Sequence, residues 1–189
     1  MRIVSVIAVL LLAVMTGCTK ESEPQAPPVY SDPTVSGQLP MGCQKTTIQK
    51  IESLLGQKLP IPAYLPEDYQ VREVFYYQEP NGTAQVTRIF LLISEQPVAW
   101  VDNYYTCRLV LEIGWHELGL GLKMPWAHSI PEVGGRLEDK DGEYVLWWEY
   151  GTSEFPSSTL RLYASNQFSR EELVKIAAST LSSTDTHSQ

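Results

Sequence analysis

From Gln70 onward the apolar residues of this chain recur with the period of a β-strand, and that period, broken by turn signals, limits the fold more than any other feature. The runs VREVFYYQ and TAQVTRIFLLIS flank EPNG, and an Asn-Gly pair between two β-rich runs is a strong hairpin signal. Ile89 to Ile93 are apolar without interruption, as in a central strand covered on both faces. In CRLVLEIGWHE, Leu109, Leu111, Ile113 and Trp115 fall on one face, and Arg108, Val110, Glu112 and His116 on the other. LGLGLKMPWAHSIPEVGG reads as a short strand plus a loop. RLEDKDGEYVLWWEY turns at Asp141-Gly142 into another strand, and STLRLYAS supplies one more.

Helical period flanks this region. In TTIQKIESLLG, Thr46 or Thr47 caps, Ile48, Ile51, Leu54 and Leu55 form one apolar face, and Gly56 stops the helix. The extended lead-in LPIPAYLPEDY follows. In SREELVKIAASTL, Ser169 and Glu172 form a capping box and Leu173, Ile176, Ala177 and Leu181 make the buried stripe. Helix, antiparallel strands and helix in that order predict an α+β fold with the helices on one sheet face.

The start of the chain determines where such a domain works. Between Ile3 and Met15 only Ser5 interrupts the apolar residues, and Arg2 precedes them, which is the pattern of a signal peptide. A membrane-spanning helix needs about 20 apolar residues, so this run is too short for a permanent anchor. It ends at MTGC, small residues just before Cys18, which resembles the lipobox of bacterial lipoproteins, with Met15 where Leu is usual. The resemblance implies that the Cys18 thiol receives a diacylglyceryl group and that Cys18 becomes the first residue of the mature chain. Two acyl chains suffice for stable anchoring without a span. The expected organisation is a lipoprotein signal peptide at 1–17, a flexible proline-rich tether at 18–42, one α+β domain at 43–181 and a disordered tail at 182–189. Some 24 tether residues would reach roughly 25–30 Å. The expected location is the extracytoplasmic side of the cell membrane, with the membrane as a partner through lipidated Cys18.

The chain has a net charge of −8, and −9 once Arg2 leaves with the signal, which argues against nucleic acid as a partner. Cys43 and Cys107 are the remaining cysteines. In an oxidising compartment they could form a disulfide, the alternative being two free thiols, Cys107 in a strand interior and Cys43 exposed.

Catalytic patterns are missing from the sequence. His116, Glu117 and His128 fit no metal-ligand spacing, and zinc would need at least three converging ligands. Aligning EDKDGE on a calcium loop places Leu137 and Trp148 at the first and last ligand positions, so it reads as a solvated hairpin. There is no nucleophile elbow, phosphate loop or dinucleotide fingerprint. The chain is therefore expected to be non-catalytic and free of metal and cofactor. Its aromatic residues are more informative. Trp147 and Trp148 are adjacent in a strand and point to opposite faces, so one of them must be covered by something outside the core layer, a helix or a ligand. Trp100, Tyr104, Tyr105 and Trp126 lie in or beside irregular segments and join Trp147 and Trp148 as candidates for a ligand or partner surface.

IPAYLPEDYQVREVFYY, LWWEYG and LRLYASNQFSREELVKIAASTL resemble an uncharacterised bacterial family that follows lipoprotein signals or forms the outer part of anti-sigma-factor-like proteins. Its members carry a YLPEGY motif, and Asp68 stands here where the family usually has Gly. The resemblance implies a curved antiparallel sheet cupping the two helices, a half-barrel similar to lipoprotein carriers and periplasmic stress sensors. The family has no established activity, so no functional residues carry over. The expected function is a membrane-anchored, non-catalytic binding or sensing module for an envelope component or protein partner. The alternative is a lipid or lipoprotein carrier with an apolar cavity.

Overall fold

The computed structural model describes residues 34–78, 85–115, 128–140, 142–151 and 158–182. Eight strands form one open antiparallel sheet: β2 (Gln44–Thr46), β3 (Gln70–Gln78), β4 (Val86–Ser94), β7 (Leu109–Gly114), β8 (His128–Ile130), β9 (Gly135–Lys140), β10 (Glu143–Tyr150) and β11 (Ser158–Ser165). Their spatial order is β2-β3-β4-β7-β11-β10-β9-β8, with β2 and β8 as edges. A second sheet has the order β1-β6-β5, built from β1 (Val35–Gln38), β5 (Ala99–Val101) and β6 (Tyr104–Cys107). Two helices, α1 (Ile48–Leu55) and α2 (Arg170–Ser182), complete the α+β fold predicted from the sequence. Among the described residues no helix is long and apolar enough to cross a membrane.

Local chemistry explains the elements. The Lys50 N–H donates to Thr47 Oγ1 (3.2 Å), closing the first turn of α1, and Gly56 stops it at φ 70° in the left-handed region. At α2 the capping box forms in both directions: Ser169 N–H donates to Glu172 Oε2 (3.0 Å) and Glu172 N–H to Ser169 Oγ (3.2 Å). β9 and β10 pair with Lys140 opposite Glu143 and Gly142 takes φ 84°, while Asp141 of the expected turn lies outside the described residues. The Asn81-Gly82 turn lies outside the described residues, but β3 and β4 are antiparallel neighbours.

The sheet is covered on both faces, differently. Ile51 of α1 and Leu173, Ile176 and Ala177 of α2 pack with Ile89, Leu91, Leu111, Leu146, Trp148 and Leu160 in the main core. The opposite face carries Leu92 and Val110, which pack with Val35, Val98, Tyr105 and Cys107 of the small sheet. β4 is thereby covered on both sides, as its unbroken apolar run predicts.

The small sheet corrects the expected domain boundary. Residues 18–42 read as tether, yet Val35–Gln38 form β1 and Val35 is buried opposite Cys107. Four residues are too few to display a period, and the partner is remote: Ser36 and Thr106, 70 positions apart, share a hydroxyl hydrogen bond of 3.3 Å. The domain thus opens on strands rather than on α1. The expected tail overlaps α2 only at Ser182, and 183–189 lie outside the described residues.

Asp68 has φ 68°, in the left-handed region that glycine enters without strain. Asp68→Gly is expected to raise stability by about 0.5 kcal/mol, the strain relieved slightly exceeding the unfolded-chain entropy gained. Asp68→Ala should lower it, and thermal denaturation of both variants separates the two effects.

Candidate binding groove

The chain leaves β1 at Gln38 and turns towards β2, with the Cys43 N–H donating to the Pro40 carbonyl (3.1 Å) and Gly42 at φ 93°. β5 and β6 join through a two-residue turn, Asp102-Asn103, because Val101 pairs with Tyr104, and Asp102 takes φ 53°. These two turns and the face of β3 opposite the helices border an open groove of about 730 Å³.

Strand alternation supplies its floor. Val74 and Tyr76 face the helices, so Glu73 and Phe75 face the groove, and Phe75 lies in register with Lys45 on β2. Glu73 holds two neighbours at once: Lys45 Nζ at 2.8 Å from Oε1, and the indole Nε1–H of Trp100, which donates to Oε2 at 3.2 Å. Lys45 is largely exposed, so the pair adds little stability, but the shared carboxylate fixes the orientation of the Trp100 ring. Trp100 meets Phe75 edge to face with centroids 5.6 Å apart and Tyr105 in the same manner at 6.0 Å. Lys45 Nζ stands 5.9 Å from the Phe75 centroid.

The rim is exposed and mixes one large apolar side chain with polar ones. Met41 on the lining is 95% exposed, whereas Val101 and Tyr104, also exposed, pair with each other and alternate with Trp100 and Tyr105, so they face away from the groove. Isolated exposed apolar residues are ordinary, whereas partly buried aromatic rings lining a concavity suit a contact site.

The predicted aromatic residues divide accordingly. Trp100 lines the groove, Tyr104 is exposed but lies outside its lining, and Tyr105 lies buried against Trp100. Trp148 is fully buried in the main core, and its Nε1–H donates to Thr180 Oγ1 of α2 at 3.1 Å. Trp147 points to the other face and is also buried, so neither tryptophan of the pair, nor Tyr105, offers a free surface. Trp126, His116 and Glu117 lie outside the described residues, and His128 is exposed on β8. No group of three His, Cys, Asp or Glu suited to a metal occurs among the described residues. Sequence reasoning missed Met41, Lys45, Glu73 and Phe75. The alternation of VREVFYYQ already separates Glu73 and Phe75 from Val74 and Tyr76, but only the strand partners reveal what they meet.

Cys43 and Cys107 are both free, so the expected bridge is absent from the structure. Their surroundings separate them: Cys43 lines the groove, whereas Cys107 is buried under β1 with its thiol donating to the Leu109 carbonyl at 3.3 Å. Burial pushes the Cys107 thiol up to about 12 and the Cys43 thiol to about 11, the latter against the pull of Arg88. Burial, together with nearby Glu95, pushes the Tyr69 hydroxyl to about 12. A raised folded pKa contributes stability below the unfolded value that is lost as pH climbs to the folded one. Resistance to urea unfolding should therefore fall from about pH 9 to about 12, and Cys107→Ala should flatten that decline. Thiol labelling at neutral pH should modify Cys43 slowly and reach Cys107 only on unfolding.

A second polar cluster lies on the same face at the sheet centre. In register across the strands run Arg136, Trp147, Arg161, Glu112, Phe90, Phe75 and Lys45. Glu112 is buried, with Arg88 and Arg161 guanidinium nitrogens each 3.7 Å from its carboxylate. Arg161 Nη1 donates to the Tyr163 hydroxyl (3.2 Å), which donates to Glu112 Oε2 (3.1 Å). Burial and the Glu112 charge raise the Tyr163 pKa, so the hydroxyl keeps its proton. This network is a structural joint between β7 and β11.

Comparison of the chain with protein-family models, with curated proteins and with solved structures finds no match.

Proposed function

We propose that this protein is a non-catalytic, extracytoplasmic binding or sensing module, lipid-anchored through Cys18, that holds an envelope component or a protein partner in the groove. One observation carries the reading: an aromatic floor, with Trp100 held by Glu73, lines a concavity edged by exposed Met41. The half-barrel curvature implied by the sequence resemblance belongs to the same proposal. The carrier alternative needs room between helices and sheet, and Leu91, Leu111, Trp148 and Ile176 occupy that space with almost no exposure. The anchor is tested by metabolic labelling with a fatty acid in the producing cell. The wild type should take up label and sediment with membranes, and Cys18→Ala should do neither. An unlabelled wild type found in the soluble fraction would contradict it.

A further inference from the structure

We infer that the groove takes a neutral, polyhydroxylated ring ligand, a short oligosaccharide. This rests on the reading of the groove as the binding site and adds the chemistry of its occupant. The groove, of about 730 Å³, falls within the roughly 300–1,000 Å³ of small-molecule sites.

Three features select the class. The floor is aromatic and oriented, and the Phe75 and Trp100 rings suit the apolar C–H face of a pyranose, which stacks on an aromatic surface at little conformational cost. The rim supplies both donors and acceptors: Gln38 and Asn103 carry planar amides that donate and accept, Asp102 a carboxylate that accepts, and all three are exposed on the groove lining. An amide or carboxylate can engage two adjacent ring hydroxyls, the pattern that distinguishes a sugar from an aliphatic chain. The charge balance is nearly neutral, because Lys45 and Glu73 compensate each other at 2.8 Å and leave Asp102 as the uncompensated charge of the lining. An anionic ligand would meet that carboxylate. An acyl chain laid along the floor would strip water from the Lys45–Glu73 pair without replacing its hydrogen bonds. Met41, on the lining and almost wholly exposed, is free to close over a ring substituent such as an acetamido methyl.

The test titrates the purified protein, held in a zwitterionic detergent that contains no sugar, with the neutral trimers of N-acetylglucosamine and of glucose. Calorimetry and tryptophan fluorescence report binding. A decapeptide alternating Leu or Phe with Ser is titrated in parallel. The expected result is saturable binding of at least one trimer, weakened at least about tenfold by Trp100→Ala and about threefold or more by Asn103→Ala. Asn103 is exposed on a turn, so its variant keeps the test valid if Trp100→Ala fails to fold. Sugar binding unaffected by both variants would place the ligand elsewhere and overturn the inference. Peptide binding that depends on Trp100, without sugar binding, would overturn the saccharide assignment and leave the binding module standing. Binding of neither probe overturns the saccharide inference, and photocrosslinking from the groove rim in the native envelope then decides separately whether the groove binds at all.

Discussion

Trp148→Ala is expected to cost about 3–5 kcal/mol of folding stability, more than truncation of any side chain of the groove. The indole is fully buried between the sheet and α2, and its removal empties a large volume in a packed core. It also removes the hydrogen bond to Thr180 Oγ1, whose own proton stays on the Ala177 carbonyl at 2.7 Å. Thr180 therefore keeps one partner, and most of the loss comes from the cavity. Trp148→Phe should recover part of the stability, and Thr180→Val in the wild type should cost only about 1 kcal/mol, because it strands the indole N–H. Denaturant titration of the three variants separates packing from hydrogen bonding. The groove lies on the opposite sheet face, so ligand binding by the folded fraction should be unchanged.

Glu112→Ala should cost about 3 kcal/mol for an electrostatic reason. The carboxylate is nearly inaccessible and faces two guanidinium groups, so its loss leaves positive charge on a buried sheet face. Partial exposure of the Arg88 and Arg161 side chains, 43% and 22%, keeps the cost below that of a fully enclosed pair. The Tyr163 hydroxyl would lose its acceptor as well. Replacing Glu112 and Arg161 together by Leu and Met should restore most of the stability, since an apolar pair of similar volume avoids the desolvation of both charges. A double-mutant cycle measured by denaturant unfolding gives the coupling, expected to favour the native pair by at least about 1 kcal/mol. Coupling near zero would mean that the network is passive packing.

Strand period, caps and turn residues were legible because each acts over a few residues. Thr47, Gly56, Ser169 with Glu172, and Gly142 do locally what their residue types favour. What stayed hidden depends on remote pairing. β1 has four residues and finds β6 far along the chain, so the sequence PTVSGQLP reads as linker. Because that pairing builds the second sheet, the groove was invisible too: its floor joins Lys45, Phe75 and Trp100 from three strands. The aromatic residues drew attention correctly as a class, but composition could not sort them. Trp100 and Trp148 differ only in what lies opposite each ring, a carboxylate at the cavity in one case and a helix in the other. Alternation likewise put Glu112 on the polar side of β7 without indicating that the side is buried by its neighbours.

If the groove is where this protein makes contact, a crosslinker on its rim should capture what it holds. A photoreactive benzophenone side chain, which inserts into C–H bonds of sugars and peptides alike, can be placed at Asn103 on that rim. Leu54, exposed on α1 beside a smaller cavity of about 340 Å³, provides the comparison position. Irradiation of the full-length protein in the cells that produce it should yield a discrete adduct from position 103, none from position 54, and none from 103 when Trp100 is Ala. Equal adducts from both positions, or an adduct at 103 that survives Trp100→Ala, would contradict the assignment of the groove as the binding site.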